Sequence, residues 1–130
     1  MVDRSDSVNR TKSVNVLKAV LRKNISVAIA PEGTFNMTGH PLKEFYDGAF
    51  RIAIETQTPI KPALFLDTYD RLNYHSIFSQ SPGITRTVFL DEIDVKEYKI
   101  EDVKLLKQKV YDVMEAALIR YHASWITHPE

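Results

Sequence analysis

Pro31-Glu32-Gly33-Thr34 sets a carboxylate, a glycine and a hydroxyl directly behind the apolar run of residues 25–30. Such a group can hold an anion on backbone N–H groups and a hydroxyl, and its carboxylate can accept a hydrogen bond from a ligand hydroxyl. Open α/β sheets bind ligands at this kind of strand-to-turn junction. Pro and Gly after a strand also mark ordinary changes of direction, so the turn gains weight only from its surroundings. The other reactive side chains narrow the chemistry. The absence of cysteine excludes thiol nucleophiles, disulfides and cysteine-based metal sites. His40, His75, His122 and His128 lack the spacing of a helical zinc motif and no cysteine supplements them, so no metal is expected. Ser5, Ser7 and Ser13 lack the glycine-flanked elbow of a serine hydrolase. Tyr69, Tyr74 and Phe78 sit outside any basic, glycine-rich strand and read as loop anchors rather than base-stacking platforms.

The elements that must position this turn follow from periodicity. Val8, Val16, Leu17, Val20 and Leu21 among Lys and Arg predict a helix over residues 8–23 that Asn24 ends. Residues 25–30 read as a short buried strand, and Gly48 starts a helix that Asp47 caps. The helix N-terminus at Gly48 and Ala49 is itself able to attract an anion, but the capping role of Asp47 is the better reading. Residues 59–66 resume as a strand, which predicts a right-handed parallel crossover from residues 25–30. Residues 37–48 would then wall or cover a pocket beside the turn. Residues 67–85 read as a loop with one helical turn, and residues 86–90 as a β-rich strand. Residues 101–122 place Val103, Leu106, Val110, Val113, Ala117, Leu118 and Tyr121 on one helical face. The expectation is one α/β domain with a partly parallel sheet flanked by helices.

Composition sets the outer bounds. The 130 residues suffice for one core, and 44% hydrophobic with 26% charged residues is ordinary for a soluble globular chain. No stretch approaches the roughly 20 apolar residues of a membrane span. Lys+Arg and Asp+Glu are 17 each, so no global field draws in nucleic acid. Residues 1–24 nevertheless hold Arg4, Arg10, Lys12, Lys18, Arg22 and Lys23 against Asp3 and Asp6, a local excess of +4 that suits phosphate or an anionic lipid surface. A solvated helix face is the commoner origin of such an excess. The opening residues lack the apolar core of a secretory signal, which points to a cytosolic chain.

The order of these residues resembles the PlsC-type glycerolipid acyltransferases, the lysophosphatidic acid acyltransferase family. Val2-Asp3-Arg4 with Asn9-Arg10 looks like the second sequence block of that family, which implies that Arg4 contacts the substrate phosphate. Ala30-Pro31-Glu32-Gly33-Thr34 is similar to the third block, Phe-Pro-Glu-Gly-Thr-Arg, and Pro59-Ile60-Lys61-Pro62 to the fourth, associated with acyl-donor binding. Gly48-Ala49-Phe50 with Ala53 fits the helix between those two. The matches cover most of residues 1–66, and beyond Asp67 the likeness is general.

The resemblance implies transfer of an acyl group from acyl-CoA or acyl carrier protein to lysophosphatidic acid or a related glycerophospholipid, on the inner face of the cell membrane and without a cofactor. It also implies a substrate site at Arg4, Glu32, Gly33 and Thr34, and an acyl-donor region at Pro59, Ile60 and Pro62. The family's catalytic pair is a His followed five positions later by Asp, a base and its orienting carboxylate. Five positions after His40, His75 and His122 stand Phe45, Gln80 and Thr127, so the pair is absent and no catalytic residue is assigned. Its place in the family lies upstream of the second block, so the chain is expected to be the C-terminal portion of one acyltransferase domain, inactive alone and prone to self-association through an uncovered sheet. The alternative is a noncatalytic phosphate or lipid head-group module. Phe35 replaces the arginine of the third block and Tyr46-Asp47 precedes the Gly-Ala helix, which shifts head-group contact to Arg4, with Arg10 beside it, and to the Gly33 and Thr34 N–H groups.

Overall fold

Helix α1 (Ser7–Arg22) ends where Asn24 takes φ 59°, a left-handed turn that asparagine tolerates better than most residues. The computed structural model describes residues 7–34, 36–71, 78 and 80–126, and Arg4 and Phe35 lie outside them. Helix α1 packs on α2 (Gly48–Thr56), with an ion pair from Lys18 to Glu55 across the contact. Helix α2 buries Phe50, Ile52, Ala53 and Ile54 and stops at Gln57, whose φ of 52° turns its N–H back onto Ala53 and Ile54 carbonyls.

Strand β1 (Ala63–Phe65) pairs antiparallel with β2 (Thr87–Phe89), in register Ala63 with Phe89, Leu64 with Val88 and Phe65 with Thr87. An isolated bridge from Ile60 to Ile93 extends the ribbon. Alternation sorts its faces: Leu64 is 2% exposed in the core, whereas Phe65 and Phe89 on the other face are 58% and 67% exposed. The short helix α3 (Thr68–Arg71) follows β1. A 3-10 turn (Ile100–Asp102) leads into α4 (Val103–Arg120), and there the Asp102 carboxylate accepts the Lys99 N–H at 2.9 Å. Helices α2 and α4 meet over a core that also holds Leu42, Phe45, Leu64, Leu66, Ile93 and Val95. No described helix is long and apolar enough to cross a membrane.

Several expectations are corrected. Residues 25–30 form no strand, and Ile25 and Ile29 are 53% and 44% exposed. The only sheet among the described residues is the antiparallel β1–β2 ribbon, so no parallel crossover forms there. An extended apolar segment becomes a strand only when a neighbour takes its N–H and C=O groups, and β1 is paired with β2 instead. Asp47 stands at the N-cap position just before α2 but makes no side-chain capping hydrogen bond, because its carboxylate turns to Lys107 of α4, at 2.6 Å. On α4 the buried stripe is Val103, Leu106, Val110 and Leu118, with Val113 39% and Tyr121 36% exposed. The stripe drifts off Val113 because the core contacts lie on one narrow side of the helix.

One latch joins the ribbon to the end of α4. The Asp67 carboxylate accepts the Arg86 N–H at 2.8 Å, its Nε–H at 2.9 Å and an Nη2–H at 2.7 Å. The same guanidinium donates to the carbonyls of Tyr121, at 3.1 Å, and His122, at 3.4 Å, where the helix dipole favours a cation. These Arg86 hydrogen bonds hold the Asp67 carboxyl well below its ordinary value, at about 2.

Candidate functional site

The residues 30–33 turn is closed by a hydrogen bond from the Gly33 N–H to the Ala30 carbonyl at 3.2 Å. Gly33 carries φ 69°, which a residue without Cβ adopts at least cost. This closure engages the Gly33 N–H within the turn.

The chain then returns alongside its own turn. The Tyr46 N–H donates to the Pro31 carbonyl at 3.0 Å, and the Lys43 N–H to Glu32 Oε2 at 2.9 Å. The Lys43 ammonium donates to Thr34 Oγ1 at 2.7 Å. Lys43 therefore grips both functional side chains of the turn, one through its backbone and one through its charge. An ammonium has three protons, and among the described residues that bond engages one of them. Burial pushes the Glu32 carboxyl above its ordinary value, opposed by the Lys43 N–H and then by the Lys43 charge.

Core packing fixes where Lys43 stands. Its neighbours Leu42 and Phe45 are 6% and 3% exposed. Phe45 stacks on Phe50 of α2 at 5.9 Å and meets Tyr111 of α4 edge-on at 5.2 Å. The Tyr111 hydroxyl donates to the Leu42 carbonyl at 3.3 Å, and Trp125 Nε1–H to the Pro41 carbonyl at 3.2 Å. Helix α4 and the segment after it thus hold the strap that carries the lysine. Burial raises the Tyr111 phenol above its ordinary value, with the charges of Glu115, Glu32 and Asp112 adding to the shift.

Residues 36–40 are folded on themselves. Asn36 Oδ1 accepts the Thr38 N–H at 3.1 Å and the Thr38 hydroxyl at 2.7 Å, and Asn36 Nδ2–H donates to the His40 carbonyl at 2.8 Å. This loop lines a cavity of about 370 Å³ with Tyr69 and Ser124 to Ile126.

The structure brings Glu32, Gly33 and Thr34 together with Lys43. In the fourth-block segment, Ile60 exchanges backbone hydrogen bonds with Ile93 at 3.0 and 2.7 Å, and the Pro62 carbonyl accepts the Leu90 N–H at 2.9 Å. Pro62 is buried and Pro59 exposed, so this segment anchors the ribbon. Arg4 lies outside the described residues, and Arg10 stands on α1. Lys43 is the residue that sequence reasoning missed. Its only signal was a lysine in the loop segment already marked as a wall. No group of His, Asp or Glu able to hold a metal ion occurs among the described residues.

A turn carrying a carboxylate, a hydroxyl and a clamped ammonium is an arrangement for a phosphorylated or polyhydroxylated ligand. The acyltransferase family model matches residues 1–65, half of the chain, and the chain belongs to this family. It is similar to 1-acyl-sn-glycerol-3-phosphate acyltransferases of Haemophilus influenzae, 33% identical over 114 residues (85% of this chain, 46% of the relative), and of Salmonella typhimurium, 30% identical over 119 residues (88% and 46%). The coconut enzyme of the same name, from Cocos nucifera, is 39% identical over 89 residues (68% and 29%). The chain spans less than half the length of these relatives. No solved structure matches it.

Proposed function

We propose that this chain is the acceptor-gripping part of a phospholipid-synthesising O-acyltransferase, which moves an acyl group from acyl-CoA or acyl carrier protein to lysophosphatidic acid or a related glycerophospholipid. The observation that carries the reading is the Lys43 clamp, which sets an ammonium on the Glu-Gly-Thr turn where Phe35 has replaced the family's arginine. A lysine binds phosphate as a compact point charge, and Glu32 accepts a hydrogen bond from a glycerol hydroxyl. Arg4 adds a second phosphate contact, and Pro59, Ile60 and Pro62 border the donor. The names of the relatives support the acceptor class. In the whole domain the sheet is partly parallel, of the glycerol-3-phosphate acyltransferase kind, and residues 25–30 gain strand neighbours. The basic residues of the α1 segment seat the domain on the anionic inner face of the membrane.

Calorimetric titration of glycerol 3-phosphate tests the clamp. Lys43→Ala is expected to weaken binding about tenfold or more, the weight of a charged hydrogen bond, and Lys43→Arg to retain most of it. Equal affinities for wild type and Lys43→Ala would remove the clamp from the proposal. Because no His is followed five positions later by Asp, the 130-residue chain by itself is expected to transfer no acyl group from acyl-CoA to lysophosphatidic acid, and measurable transfer would overturn that expectation.

A further inference from the structure

Leu42 and Lys43 share one peptide group, and both of its polar ends are taken. Its carbonyl, on Leu42, accepts the Tyr111 hydroxyl at 3.3 Å, and its N–H, on Lys43, donates to Glu32 Oε2 at 2.9 Å. A trans peptide is planar, so its C=O and N–H point in opposite directions and cannot turn independently. Tyr111 on α4 and Glu32 on the turn are therefore joined through one rigid plane, from opposite sides of the strap. Each bond in such a chain polarises the next, so a donor on the carbonyl makes the N–H a stronger donor, by roughly 10–30% per bond.

The anchor on α4 is itself held by packing. The Tyr111 ring meets the buried Phe45 ring edge-on at 5.2 Å. The preceding carbonyl, of Pro41, accepts the Trp125 Nε1–H at 3.2 Å, so two successive carbonyls of the strap are gripped from the C-terminal part of the chain. Burial first, and then the Glu115 and Glu32 charges, raise the Tyr111 phenol, which records the same closeness to the turn. Glu32 is half-buried, and a carboxylate offers about four acceptor positions on its two oxygens. Fixing one oxygen on the Lys43 N–H sets the direction in which the rest of the group meets a ligand hydroxyl. The Lys43 ammonium stands at the end of a flexible four-carbon stem, so its phosphate contact depends much less on the plane of its own peptide.

We propose that Tyr111 is a positioning residue of the acceptor site: through the Leu42–Lys43 peptide it orients the Glu32 carboxylate toward a glycerol hydroxyl, and so favours hydroxyl-bearing phosphate esters over plain ones. The inference rests on the acceptor reading above and adds to it the element that sets its selectivity.

Tyr111→Phe removes the hydroxyl and keeps the ring, so the packing on Phe45 and the ring current on its neighbours persist. Calorimetric titration with glycerol 3-phosphate and with ethyl phosphate, which carries the phosphate without a glycerol hydroxyl, separates orientation of Glu32 from general loosening. The variant is expected to bind glycerol 3-phosphate about two- to tenfold more weakly, the weight of one neutral hydrogen bond, with ethyl phosphate affinity unchanged. In a Glu32→Ala background the same substitution should change neither affinity. In the free protein, the Lys43 amide proton is expected to move upfield in Tyr111→Phe, because its bond to Glu32 weakens. Equal losses for the two esters, no loss for either, or a loss that persists without Glu32 would overturn the positioning role, as would a Lys43 amide that stays in place. Wild type that binds neither ester would sink the acceptor reading instead, and the Lys43 amide of the free protein would then decide the relay alone.

Discussion

At Gly33 the backbone carries φ 69°, and the Lys43 clamp depends on that local geometry to bring Glu32 and Thr34 to one side. An alanine there meets the left-handed penalty of about 1–2 kcal/mol, so Gly33→Ala is expected to lower stability by that amount in urea unfolding and to weaken glycerol 3-phosphate binding. Unchanged stability would show that the turn relaxes freely. That Glu32, Gly33 and Thr34 share one turn was legible in the sequence, because they are adjacent residues. Lys43 was not, since its partnership with Glu32 spans 11 residues and exists only once Leu42 and Phe45 are buried. The turn's own hydrogen bond to the Gly33 N–H was likewise not legible, because it exists only once the turn has closed.

Among the elements, α1, α2 and α4 followed from apolar spacing, and their ends from Asn24 and Gly48. Residues 25–30 did not become a strand, because pairing is a property of two segments and periodicity describes one. Asp47 likewise had a local capping role open to it, but Lys107 on a distant helix offered a full charge instead of a backbone N–H. The Asp67–Arg86 latch joins elements far apart in sequence and had no local signal at all. Its carboxyl lies at about 2 in the fold, below the ordinary 3.8, so the stabilisation is fully present above about pH 4 and is lost as pH falls through 2. Asp67→Asn is expected to cost about 2 kcal/mol at neutral pH, and its thermal midpoint should fall less than that of wild type between pH 4 and pH 2. Parallel acid profiles for the two proteins would show that the latch carries no pH-dependent stability.

At the scale of the whole molecule, several large apolar side chains stand exposed. Phe65 and Phe89 stand diagonally on the outer face of the ribbon, and Ile25 and Ile29 project from an unpaired extended segment. Such surfaces favour association, and light scattering is expected to show concentration-dependent self-association that Phe65→Ser with Phe89→Ser reduces. A monodisperse wild-type monomer would argue that these faces are tolerated bare. The central claim is that the clamped Glu-Gly-Thr turn receives a phosphorylated glycerol. Backbone amide NMR of the 130-residue chain titrated with glycerol 3-phosphate tests it most directly. The account predicts saturable shifts concentrated on Glu32, Gly33, Thr34 and Lys43, and shifts confined to other parts of the chain would contradict it.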